Sequence, residues 1–138
     1  MSSGVAVYAV AAITAAFMAG LCAGSYLGGV WSRHLSQKQA LRHKVAEMAT
    51  EIEAARHLVY HAAACYNAGD DCLASVSMAK LFATEVANRV AYQAVQMHGG
   101  YGYMQEFPVE RFFRDVRLWT IASGTSEIMK EIIAKRLL

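Results

Sequence analysis

The residues best suited to chemistry lie in two short stretches near the end of the chain. Gly99, Gly100 and Gly102 interrupt a helical pattern. Without side chains there, backbone amides can approach a ligand that a Cβ would exclude. A helix C-cap followed by a turn makes the same demand for glycine, so both readings stand at this point. Thr125 and Glu127 open the last helical pattern, where free amides and the positive end of the helix dipole favour an anion such as a pyrophosphate. A plain N-cap would use the same residues.

Other chemical groups are scattered. His57, His61 and Cys65 recur at steps of four on one helix face, a geometry able to hold zinc or another transition metal. A fourth ligand and a group to orient the imidazoles are not evident, so no metal site is assigned. Cys22, Cys65 and Cys72 match neither a metal finger nor an even disulfide framework, which points to a reducing compartment, although Cys65 and Cys72 flank a turn.

The elements that must position these residues are helices. The sequence has one proline, and its glycines cluster at identifiable stops. Leu41, Val45, Met48, Ile52, Ala55, Val59, Ala62 and Tyr66 alternate by four and three after Ser36, predicting a helix that ends at Gly69. Asp70 or Asp71 can cap the next one, with the stripe Leu73, Val76, Leu81, Phe82, Val86, Val90, Gln93 and Met97 running to Gly99. These two form an antiparallel hairpin. Pro108 suits the first turn of a shorter helix reaching Trp119, and Thr125 or Ser126 caps a last one carrying Ile128, Ile132, Ile133 and Leu137. The expected fold is all-α, an up-and-down four-helix bundle with a C-terminal helical arm, formed by residues 1–138 as one domain.

Composition adds one anomaly. Hydrophobic residues make up 56% of the chain and charged residues 17%, and no charge occurs from Gly4 to Ser32. Gly20, Gly24 and Gly28 lie four apart at the end of that segment, giving it a smooth face for close packing. Residues 5–27 are read as an unusually apolar first bundle helix covered by other subunits, or as a membrane anchor followed by Arg33, Lys38, Arg42 and Lys44. The net charge of +2, without a basic run beyond those four, gives no reason to expect nucleic acid.

Two stretches resemble the acyl-CoA dehydrogenase family closely. They are Gln96-Met-His-Gly-Gly-Tyr-Gly102, followed by Arg114-Asp115, and Ile121-Ala-Ser-Gly-Thr-Ser-Glu-Ile128. With Leu35-Ser-Gln-Lys-Gln39 the likeness runs from about Trp31 to Leu138. The resemblance implies the C-terminal helical domain of such an enzyme, which forms an oligomer core and holds part of an FAD. It also implies α,β-dehydrogenation of an acyl-CoA thioester, with electrons passed to an electron-transfer flavoprotein. On that basis Gln39, Gln96, Gly99, Gly100, Gly102, Thr125 and Glu127 are candidate FAD contacts, the glycine motif facing the adenosine diphosphate part of a neighbouring subunit's cofactor. The compartment implied is the cytoplasm or mitochondrial matrix, with membrane association as the alternative.

The sequence also departs from the family. The reaction needs a carboxylate to take the α proton. Most members place it just before the Gly-Thr of the last motif, where this chain has Ser123, and a hydroxyl cannot act as a base unaided. Members of the isovaleryl and long-chain type place the glutamate on the first bundle helix instead, but no acid precedes Glu47 here. Glu47 lies on a charged helix face and reads as solvated. The family's Arg-x-x-Phe-Gly segment appears as Gly28-Gly-Val-Trp-Ser32, without its arginine. No catalytic residue is assigned, and the two upstream domains that complete the flavin site and acyl-CoA pocket are not recognisable in this sequence.

Overall fold

The computed structural model describes residues 39–138, so the apolar segment at 5–27 and the Gly28–Ser32 stretch lie outside the described residues. Four α-helices follow one another: α1 (Gln39–Ala68), α2 (Leu73–His98), α3 (Pro108–Arg117) and α4 (Ser126–Leu137). Two 3-10 segments, Gly99–Tyr103 and Leu118–Thr120, flank α3. No strand occurs among the described residues, in keeping with an all-α bundle.

The predicted hairpin forms for the predicted reason. Gly69 adopts φ +80° and ends α1, with Gly69 and Asp70 amides donating to Tyr66 and Cys65 carbonyls at 3.1 and 3.2 Å. Asp71 supplies the cap for α2 from one position further out than a standard N-cap: its carboxylate accepts the Leu73 N–H at 3.4 Å, while the Cys72 side chain makes no cap bond. Ala55, Val59 and Ala62 of α1 meet Val76, Ala79, Ala83 and Val86 of α2 in one buried cluster. Alanine at four of these seven positions lets the two helices approach closely.

Only the middle of the α1 stripe is buried, since Val45 and Tyr66 near its ends remain 41% and 38% exposed. The stripe expected on α2 also differs from the observed burial. Leu73 is exposed, whereas Ser77, Lys80 and Thr84 are buried beside the alanines. α2 is enclosed from several directions, by α1 on one side and by α3, α4 and both 3-10 segments elsewhere. The buried hydroxyls are satisfied within the helix: Ser77 Oγ donates to the Leu73 carbonyl at 2.8 Å and Thr84 Oγ1 to the Lys80 carbonyl at 2.9 Å.

Pro108 occupies the first turn of α3, and the helix tightens into a 3-10 turn after Arg117, short of the expected Trp119. Asn88 Nδ2 docks the far end of α3, donating to the Val116 carbonyl at 3.1 Å and to Thr84 at 2.9 Å. α4, the expected C-terminal arm, lies antiparallel along α2: its first residue bonds to Glu85, and Arg136 near its end pairs with Asp71 at 2.7 Å. Val86, 1% exposed, stands where α1 packs on α2. Val86→Ala is expected to lower unfolding free energy by about 1–3 kcal/mol in denaturant titrations, leaving helix content unchanged.

Candidate functional site

The antiparallel hairpin sets one half of the candidate site. Lys44 Nζ donates to Gln93 Oε1 at 2.9 Å and Arg89 pairs with Glu51 at 3.1 Å, so the start of α1 lies beside the end of α2. Gln39 therefore stands at the same end of the hairpin as Gln96, Gly99 and Gly100, and all four are exposed.

The three glycines of the motif turn out to have different reasons to be glycine. Gly99 has φ +59°, a left-handed conformation at the close of α2 that disfavours any side chain. Gly102 is buried, and a Cβ there would come within 2.5 Å of the Val95 carbonyl oxygen, so it is needed for the turn to pack back on α2. Gly100 has neither constraint: its φ is not positive and a Cβ would meet nothing within 4 Å. Around it Tyr101 and Tyr103 are 63% and 87% exposed, and Tyr101 leans on Phe107 with ring centroids 5.3 Å apart. Of the aromatics near α3, Phe107 and Phe113 are exposed while Phe112 and Trp119 are half-buried.

Thr125 and Glu127 lie elsewhere. The turn before α4 packs against Lys80, whose Nζ donates to the Gly124 carbonyl, and Ser126 Oγ donates to Glu85 Oε1 at 2.6 Å. Glu85 and Gln96 are eleven residues apart on α2, about 16 Å along its axis. Within one protomer the structure thus brings Gln39, Gln96, Gly99, Gly100 and Gly102 together at one end, and Ser123, Thr125 and Glu127 together further back.

At the start of α4 Thr125 is the N-cap, its Oγ1 accepting the Ile128 N–H at 3.3 Å. The Glu127 carboxyl is held below its usual range, first by its own backbone N–H, then by the Thr125 hydroxyl, with Lys130 and Arg117 adding charge. The Glu127 carboxylate thus brings a negative charge of its own to the start of α4.

Ser123 is the single non-glycine residue with positive φ among the described residues, at +57°, and Gly124 follows at +101°. A left-handed serine costs roughly 1–2 kcal/mol. Lys80 is 3% exposed, and burial pushes its ammonium below the usual lysine range, opposed in part by Glu85 and Glu127. The sequence reading missed both Lys80 and Glu85. The signal available was a Lys and a Glu on the apolar side of a helix, five residues apart.

His57 sits near Glu53, with Nε2 to Oε1 at 3.4 Å, and among the described residues no group of three His, Cys, Asp or Glu side chains is placed to hold a metal. Cys65 and Cys72 are free thiols.

The family model for the acyl-CoA dehydrogenase C-terminal domain matches residues 9–138. The chain belongs to this family. Among relatives, an acyl-CoA dehydrogenase of Bacillus subtilis (strain 168) is 50% identical over 108 residues, covering 78% of this chain and 28% of that protein. A chain in the solved structure of the electron transferring flavoprotein of Acidaminococcus fermentans superposes with a TM-score of 0.78 at 40% identity, covering 98% of this chain and 35% of the other. The FAD complex of PigA gives a TM-score of 0.71 at 32% identity over 75% of this chain and 27% of the other.

The acyl-CoA dehydrogenase match takes in most of the apolar segment at 5–27 and gives no support to a membrane anchor. Among the described residues no helix is long and apolar enough to cross a membrane. The chain spans 28% of the length of the B. subtilis protein.

The geometry separates the glycine that packing requires from the one that it does not. Gly102→Ala should cost about 1–3 kcal/mol by overpacking, whereas Gly100→Ala should leave the thermal midpoint nearly unchanged, both read by thermal unfolding. For Glu127 the folded carboxyl has the lower pKa, so its contribution to stability is present above its ordinary 4.5 and is lost as pH falls through the folded value. The stability gap between the parent and Glu127→Gln should close on acidification below 4.5.

Proposed function

We propose that the chain acts as the C-terminal, flavin-contacting part of an FAD-dependent acyl-CoA dehydrogenase that introduces an α,β double bond into an acyl-CoA thioester. The observation that carries this is the exposed end of the hairpin, where Gly100 lacks a side chain although neither its backbone nor its neighbours require that. Backbone there can approach a cofactor closely, with Gln39 and Gln96 beside it as amide donors and acceptors.

The flavin would supply the two-electron acceptor, and an electron-transfer flavoprotein would receive those electrons. Gln96, Gly99 and Gly100 would bind the nucleotide end of FAD, with Gln39 alongside and Gly102 shaping the turn. Thr125 and Glu127 would contact a hydroxyl or amino group of FAD. Their separation from the glycine cluster fits an extended dinucleotide, or cofactors shared between protomers of a homo-oligomer. Val45, Tyr60, Tyr66 and Tyr92 leave apolar surface for such neighbours.

Proton abstraction would have to come from a group other than residue 123. Ser123 carries no carboxylate and is exposed on its turn. This favours, as a second reading, a non-catalytic oligomeric relative that keeps the scaffold without the reaction.

Titration of the purified full chain with FAD, followed by flavin fluorescence, should give a saturable change. Gly100→Val should weaken it at least tenfold without lowering the thermal midpoint. A folded helical chain showing no saturable response overturns the cofactor assignment and leaves the scaffold reading.

A further inference from the structure

We propose that Lys80 is a positioning residue for the turn at 123–124: its ammonium, carried on α2, fixes the Gly124 carbonyl and so sets the direction in which the side chain of residue 123 leaves the chain. The inference rests on the reading that the turn leading into α4 belongs to the flavin-contacting part of a dehydrogenase site. It assigns a role to a lysine remote in sequence from the motif it holds.

Lysine is almost never fully buried unless it is paired, and Lys80 is 3% exposed. Its Nζ donates to the Gly124 carbonyl across 44 positions of sequence. The opposite charges facing it are Glu85 on α2 and Glu127 on α4. Glu85 in turn accepts from Ser126 Oγ at 2.6 Å, so the turn is gripped on both sides of Thr125 from a single helix.

The turn needs such a grip. Ser123 and Gly124 both have positive φ, at +57° and +101°. A serine stays in that conformation only where its surroundings over-determine it. Thr125 fixes the other side through its cap on Ile128, which leaves the Gly124 carbonyl as the free end to be held.

Stability alone does not account for a lysine here. Taking an ammonium out of water is costly, and an apolar residue of the same volume avoids that cost. An apolar side chain at position 80 would fill the space and leave the Gly124 carbonyl without its donor. What the ammonium adds is direction. Burial also draws its pKa below 10.5, against the pull of Glu85 and Glu127, so the grip is sensitive to alkaline pH.

The test uses the full chain, isotopically labelled, without flavin. In the parent, the Gly124 carbonyl carbon shift should titrate together with the Lys80 side chain, at a midpoint below 10.5. In Lys80→Met the step should vanish, the Ser123 amide coupling should report relaxation out of the left-handed region, and amide exchange across residues 121–126 should rise at least tenfold relative to the α1–α2 hairpin. Lys80→Arg should restore the coupling at Ser123.

A Gly124 carbonyl that stays flat while Lys80 titrates overturns the proposal, and so does a left-handed Ser123 in a folded Lys80→Met. If that variant does not fold, the parent titration decides alone. Because no step involves FAD, a chain that passes this test and binds no flavin keeps the role of Lys80 and loses only the functional reading it rests on.

Discussion

The structure depends on α2 being enclosed from several directions at once. A helix covered on one side can follow a simple apolar stripe, but α2 must accept α1 on one face and α3, α4 and two 3-10 segments on others. That constraint explains its residues. Ala79, Ala83 and Ala91 allow close approach, Ser77 and Thr84 return their hydroxyls to the helix's own carbonyls, and Asn88 reaches out to hold the end of α3. Lys80 and Glu85 provide polar attachment for the start of α4. Removing Lys80 would leave the Gly124 carbonyl without its side-chain donor, whereas the hydroxyls of Ser77 and Thr84 only share carbonyls that the helix already bonds.

Enclosure of α2 also fixes where the two candidate regions lie. The helix ends at a glycine turn that faces outward, while its first half carries the turn containing Ser123. The two candidate regions are thus fixed to one rigid element, about 16 Å apart by helical rise. A ligand contacting both in one protomer must be long. The alternative is that neighbouring protomers bring the halves together.

Much of this was legible in the sequence where a local rule decided the outcome. Gly69 and Gly99 announce left-handed helix ends, Pro108 opens α3, and Thr125 caps α4, because each follows from backbone chemistry within a few residues. The α1 seam at Ala55, Val59 and Ala62 followed from period. What periodicity could not show was burial set by several neighbours. The α2 stripe was read through Leu73, which is exposed, and it passed over Lys80 and Thr84, which are buried. The distinct reasons for Gly99, Gly100 and Gly102 needed a backbone angle and a close carbonyl. The lowered pKa of the Glu127 carboxyl likewise follows from its own backbone N–H and the Thr125 hydroxyl.

On the proposed function, this member of the acyl-CoA dehydrogenase family contacts a flavin through two separated regions held by α2. Amide hydrogen exchange of the full chain with and without saturating FAD tests it most directly. The account predicts slower exchange at residues 96–102 and again at 123–127, with the α1–α2 seam unaffected. Protection confined to neither region, with FAD present and the helices intact, would contradict it.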